Sequence, residues 1–122
     1  MLKKFIFSLT AIIALSLAVI AQDKQPTELT GFITDKGCAA KVGNASDPQV
    51  AAADHEKKCV LGCSNSGLGI YSDGKFTQFD EKGSQVAKAA LEKSKKDKGA
   101  KFKVTGKVAD GKMTVESIAE VE

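Results

Sequence analysis

Apolar and polar positions alternate most cleanly near the end of the chain, where Phe102, Val104, Gly106 and Val108 are separated by Lys101, Lys103, Thr105 and Lys107. A period of two puts each set on its own face, so the spacing predicts a half-buried strand. Asp110-Gly111 turns the chain into a last strand, Lys112 to Val121, in which Met113 and Val115 keep the alternation and Ile118 breaks it. A bulge near Ser117 accounts for the slip. Leu29 to Thr34 reads as the first strand, with Leu29, Gly31 and Ile33 on one side, Phe32 between two threonines on the other, and Asp35-Lys36-Gly37 as its end. Leu68 to Ser72 and Lys75 to Phe79 flank Asp73-Gly74, whose residue types suit a two-residue hairpin turn.

Two segments carry helical signals instead. Asp47 is placed to cap a helix beginning at Pro48, running to about Leu61 and ending at Gly62, with Lys57 and Lys58 in its last turns. Ser64 to Gly69 is a polar, glycine-containing loop. Ser84 to Lys96 shows an apolar stripe of Val86, Ala87, Ala90 and Leu91, with lysines gathering at its end before Gly99. The lysines from Lys93 to Lys103 read as a solvated helix end and strand face.

Ahead of all this, Met1 to Lys4 is cationic, Phe5 to Ile20 is apolar, and Val19-Ile20-Ala21 offers compact residues where a signal peptidase reads. Residues 1–21 are therefore expected to be a cleavable signal peptide, residues 22–27 a polar linker, and residues 28–122 one domain. Sixteen apolar residues are short for a span, so no stable membrane anchor is expected after cleavage. The expected location is periplasmic or secreted, where thiols oxidise unless paired or metal-bound.

Composition narrows the function. The formal net charge is +3, and Lys3 and Lys4 lie in the leader, so +1 remains beyond it. All 18 basic residues are lysines, which removes the guanidinium fork that grips phosphate and guanine. No nucleic-acid partner is expected. From Gln22 onward, Phe, Ile, Leu and Val number 19 of 101 residues. So thin a core has little burial to set against chain entropy, and a covalent or metal staple would help it.

The order strand, helical insertion at about 36–67, strand, strand, helix, strand, strand gives the expected fold class, mainly β with two helices, as a small five-stranded barrel. That order, with the hairpin Val104-Thr105-Gly106-Lys107-Val108 and Met113-Thr114-Val115, resembles the oligonucleotide/oligosaccharide-binding (OB) fold. Gly31-x-Ile33-x-Asp35-x-x-Cys38, followed by a helix bearing His55, Cys59 and Cys63, is similar to small exported bacterial OB-like proteins with a Cys/His insertion in the first loop. The resemblance implies an exported OB-like domain and no particular activity. OB domains bind ligands mainly on strands two and three, which here offer Tyr71, Phe76 and Phe79. Tyr71 is the aromatic expected to face a small ligand or protein, while most of the five aromatics beyond the leader fill the core.

One constellation carries chemistry. Cys38, His55, Cys59 and Cys63 are a candidate metal set, since His55 and Cys59 lie four apart on the expected helix and share a face. Three sulfurs and one nitrogen suit zinc or copper(I), although the spacing matches no zinc knuckle. The alternative is a disulfide from Cys38 to Cys59 or Cys63, stapling a ligand-binding domain and leaving one thiol for a disulfide-linked dimer. Thiol redox chemistry at Cys59 or Cys63 ranks below both, and the chain is not expected to be an enzyme. Asp35 is expected to end the first strand and hydrogen-bond the following amides.

Overall fold

The first strand is long enough to serve two neighbours, and this sets the topology. In the computed structural model, which describes residues 25–122, β1 (Thr27–Asp35) pairs Thr27 to Phe32 with Gly106 to Lys101 and Phe32 to Asp35 with Tyr71 to Leu68, both antiparallel. The expected signal peptide and Gln22 to Lys24 lie outside the described residues; Thr27, expected to close the linker, already belongs to β1. Among the described residues no helix is long and apolar enough to cross a membrane.

The remaining strands are β2 (Leu68–Ser72), β3 (Lys75–Phe79), β4 (Lys101–Ala109) and β5 (Lys112–Val121). Hydrogen bonding runs β1-β2-β3-β5-β4 and returns to β1, so the sheet closes on itself, with a short parallel contact between β3 and β5. Both expected hairpin turns form, with positive φ at Asp73 and Gly74 and at Asp110 and Gly111. The bulge falls where the alternation slips: Thr105 faces Ser117 and Gly106 faces Val115, which leaves Glu116 as the extra residue.

Helices depart from the expectation of two in a mainly β chain. The described residues are mixed α/β, with four helices: α1 (Lys36–Gly43), α2 (Pro48–Asp54), α3 (Lys57–Gly62) and α4 (Glu81–Lys93), plus a single 3-10 turn, Ser64–Ser66. Asp47 does cap α2, accepting the Val50 N–H, but the expected continuous helix from Pro48 to Leu61 is broken at His55 and Glu56, both extended. Tertiary bonds explain the break. The Lys57 N–H donates to the Asp97 carbonyl at 2.7 Å and its ammonium to the Ser94 carbonyl at 2.8 Å, which pulls the chain toward the α4–β4 connection. The left-handed glycine of this segment is Gly67, at φ 97°, rather than Gly62. α4 begins and ends three residues before its expected limits, because Asp80 caps it by accepting the Gly83 N–H. Its inward stripe is Gly83, Ala87 and Leu91, while Val86 is exposed.

Two apolar clusters result. Inside the ring, Ile33, Leu68, Ile70, Phe79, Phe102, Val104 and Met113 pack with Ala87 and Leu91 of α4 and Val60 of α3. On the opposite face, the cross-strand neighbours Phe32, Tyr71 and Phe76 are covered by Val42 of α1 and Ala51 and Ala52 of α2. The insertion is thus a second layer over β1–β3 and gives the sheet's outer face something to bury against. Tyr71, expected to face a ligand, is only 3% exposed for this reason.

Where β1 passes from one partner to the other, Gly31 sits against the Tyr71 backbone carbonyl, in space that a methyl group would need. Gly31→Ala is expected to destabilise the fold by about 2–3 kcal/mol, the scale of overpacking in a rigid core. Urea denaturation checks this, with a lowered midpoint and an unchanged slope as the expected result.

Candidate metal centre

Asp35 is fully buried, the last residue of β1 and the N-cap of α1, with extended backbone angles of φ −80° and ψ 147°. Its Oδ2 accepts the Cys38 N–H at 2.9 Å. Because a capping side chain bonds the amide three residues on, this local geometry alone brings residues 35 and 38 side by side. The expectation that Asp35 ends the strand is met, and of the following amides its side chain accepts one, that of Cys38; the segment after the strand is a helix, not a loop.

His55 reaches the same carboxylate from twenty residues away. As the C-cap of α2 it leaves the helical path, and its Nε2 lies 3.2 Å from Asp35 Oδ1. A carboxylate oxygen can only accept, so this hydrogen bond puts a proton on Nε2. The His55 side chain is 19% exposed and that of Asp35 is 0%. Asp35 therefore orients the imidazole, a role its sequence position did not reveal. Both its oxygens are engaged, as a buried carboxylate requires.

Cys38 completes the group. One ligand atom each from Asp35, Cys38 and His55 can be chosen so that all lie within 4.8 Å of one another. Its thiol is raised above the ordinary value, first by burial, then by the Asp35 charge, a hydrogen bond to Asp35 and the charge of Cys63, against a smaller lowering by Lys41. In the absence of a cation the sulfur is thus held as a neutral thiol.

Of the four residues read from the sequence as a metal set, the structure brings Cys38 and His55 together and adds Asp35. Cys59 and Cys63 lie outside this group and are exposed, and all three thiols are unbridged. The break at His55 is the cause: His55 and Cys59 belong to different helical segments, so their spacing of four no longer puts them on one face. Asp35 was detectable in principle as the first residue of Asp-x-x-Cys, a capping spacing that pairs an oxygen with a sulfur. Compared with protein-family models, curated proteins and solved structures, the chain matches none.

Cys38 is expected to be the slowest of the three cysteines to alkylate, and the pH midpoint of its reaction to lie above that of an ordinary thiol. Asp35→Asn keeps a capping oxygen and removes the charge, so it should lower that midpoint; peptide-resolved alkylation rates against pH measure both. The native state holds this proton more tightly than the unfolded chain, so its contribution to stability is complete below the ordinary thiol range and fades as pH rises through the raised value.

Proposed function

We propose that the protein is a small exported OB-like module whose insertion holds one divalent transition-metal ion, zinc by preference, through Asp35, Cys38 and His55, for structure or for transport. The observation carrying this reading is the approach of carboxylate oxygen, thiol sulfur and imidazole nitrogen to within 4.8 Å. Tetrahedral zinc, with bonds of about 2.0–2.3 Å, separates its ligand atoms by roughly 3.3–3.6 Å. The Asp35–His55 separation of 3.2 Å is already close to one such edge, and zinc would take the place of the Nε2 proton that joins these atoms in the metal-free protein, the imidazole staying neutral with its proton on Nδ1. Contraction of the group by up to about 1.5 Å would complete the other edges.

Charge and softness favour zinc over copper(I). Ionised Asp35, ionised Cys38 and neutral His55 carry two negative charges, so a divalent ion leaves a partly buried centre neutral. Copper(I) prefers sulfur ligands, and a carboxylate serves it poorly, whereas zinc accepts all three donor types. Three protein ligands leave a fourth position for water or an incoming group, as transport requires and a closed structural site does not.

Element order and the closed strand order β1-β2-β3-β5-β4 support the OB-like reading. The alternative, a ligand bound on strands two and three, is disfavoured because α1 and α2 cover Tyr71 and Phe76 on that face. Export follows from the leader and agrees with a thiol that needs a partner in an oxidising compartment.

Native mass spectrometry of the reduced protein titrated with zinc tests the proposal. One ion per chain is expected. Cys38→Ser, His55→Ala and Asp35→Asn should each weaken binding by more than the roughly 100-fold that loss of a merely supporting residue brings, while Cys59→Ser leaves it unchanged. Failure to retain zinc at micromolar concentration, or equal retention by all variants, overturns it.

A further inference from the structure

We infer that Cys63 is the oxidation partner of Cys38, and that a disulfide between them withdraws the Cys38 sulfur from the metal centre and discharges the ion. The release of metal rests on the function proposed above, whereas the pairing of the two cysteines does not.

Two adjacent stitches hold the start of α1 against the segment that carries Cys63. The Ser66 hydroxyl accepts the Gly37 N–H at 3.1 Å and donates to the Cys63 carbonyl at 2.8 Å, so a single oxygen atom joins the two backbones. One residue away on each side, the Lys36 N–H donates to the Gly67 carbonyl at 2.8 Å. Cys38 comes directly after Gly37, and Cys63 is itself one end of the stitch. The charge of Cys63 is also felt at the Cys38 thiol, in keeping with that proximity.

Cys59 is the competing partner, and local geometry disfavours it. The Cys63 N–H donates to the Cys59 carbonyl at 3.1 Å, so the two lie one helical turn apart. Their β-carbons are then about 5–6 Å apart, against roughly 3.5–4.5 Å in a disulfide. Bridging them would require the last turn of α3 to unwind. Cys63, by contrast, stands past the helix, at φ −103° and ψ 9°, and is exposed.

Exposure also sets the order of events when a low-mass disulfide is the oxidant. The Cys63 thiolate attacks one sulfur of the oxidant, expels a thiolate that takes up the proton Cys63 gave, and forms a mixed disulfide. The Cys38 sulfur then attacks the Cys63 sulfur and expels the second thiolate, which takes up the Cys38 proton in the metal-free protein and a solvent proton in the zinc-loaded one. The protein loses two electrons, the oxidant is reduced to two thiols, and the metal loses its sulfur ligand. Cys38 is slow to begin the exchange because the residue is partly buried, whereas Cys63 is exposed and is the entry point.

The test exposes the reduced protein, without metal and preloaded with zinc, to oxidised glutathione. Denatured mass, peptide mapping and a zinc-sensitive chelating dye track the reaction. Expected are the loss of two hydrogens, a Cys38–Cys63 cross-link, and one equivalent of zinc released from the preloaded protein. Cys59→Ser should behave like the wild type, while Cys63→Ser binds zinc, forms no internal bridge and keeps its ion. A cross-link mapped to Cys59 and Cys63, or Cys38 still alkylatable after Cys63 is consumed, overturns the inference. Zinc binding without the cross-link overturns this inference alone; the cross-link in a protein that never binds zinc overturns the metal reading and leaves the pairing standing.

Discussion

A buried carboxylate sets the terms for the whole insertion. Asp35 has no solvent to stabilise its charge, and stranding such a group would be strongly destabilising, by an amount on the order of 3–5 kcal/mol. Its two oxygens are met by the Cys38 amide and the His55 imidazole. One partner lies in the first turn of α1 and the other ends α2, so one side chain ties together the end of the first strand, the start of the first helix and the exit of the second. The same group turns three chemically different atoms toward each other, which is why the constraint on folding and the candidate site coincide.

The insertion is more than a carrier for that site. A closed ring of five strands with a thin interior leaves Phe32, Tyr71 and Phe76 in a row on its outer face, and three adjacent aromatic rings in water would be unfavourable. α1 and α2 cover them with small residues, Ala51 and Ala52, and with Val42, so the helices approach the sheet closely. Covering this face removes the surface on which the strands would meet an outside ligand. Whatever the protein recognises has to be sought at the insertion itself or elsewhere on the ring.

Strands were legible in the sequence because each has its own signal: alternation at Phe102 to Val108, and Asp-Gly turns at residues 73–74 and 110–111, whose backbone angles few other residues adopt. Even the bulge could be read from the misplaced Ile118. α1 was not legible, since its eight residues begin with a lysine and a glycine, and its start is decided by the Asp35 side chain. The break at His55 was hidden for another reason. It is made by Asp97 and Ser94, about forty residues further along, and no local pattern announces them. Of the candidate site, Cys38 and His55 were legible as rare residue types in a thin-cored chain. Asp35 was not, because a carboxylate ending a strand usually does no more than cap, and here it does that as well.

Short helices give the site its energetic leverage. α1, α2 and α3 have eight, seven and six residues, lengths at which a helix alone in water is unstable. They persist only through what they pack on and through the bonds at Asp35, Ser66 and Lys57. In the proposed holo state, an ion on Asp35, Cys38 and His55 would join the end of β1, the first turn of α1 and the exit of α2 at one point. Binding energy available only to the folded insertion then adds to the stability of the least self-sufficient part of the chain. By the same linkage, losing one sulfur ligand loosens the segment in which that sulfur sits. On the proposed reading, metal occupancy and the order of the insertion would be one equilibrium, with the Asp35 carboxylate common to both of its sides.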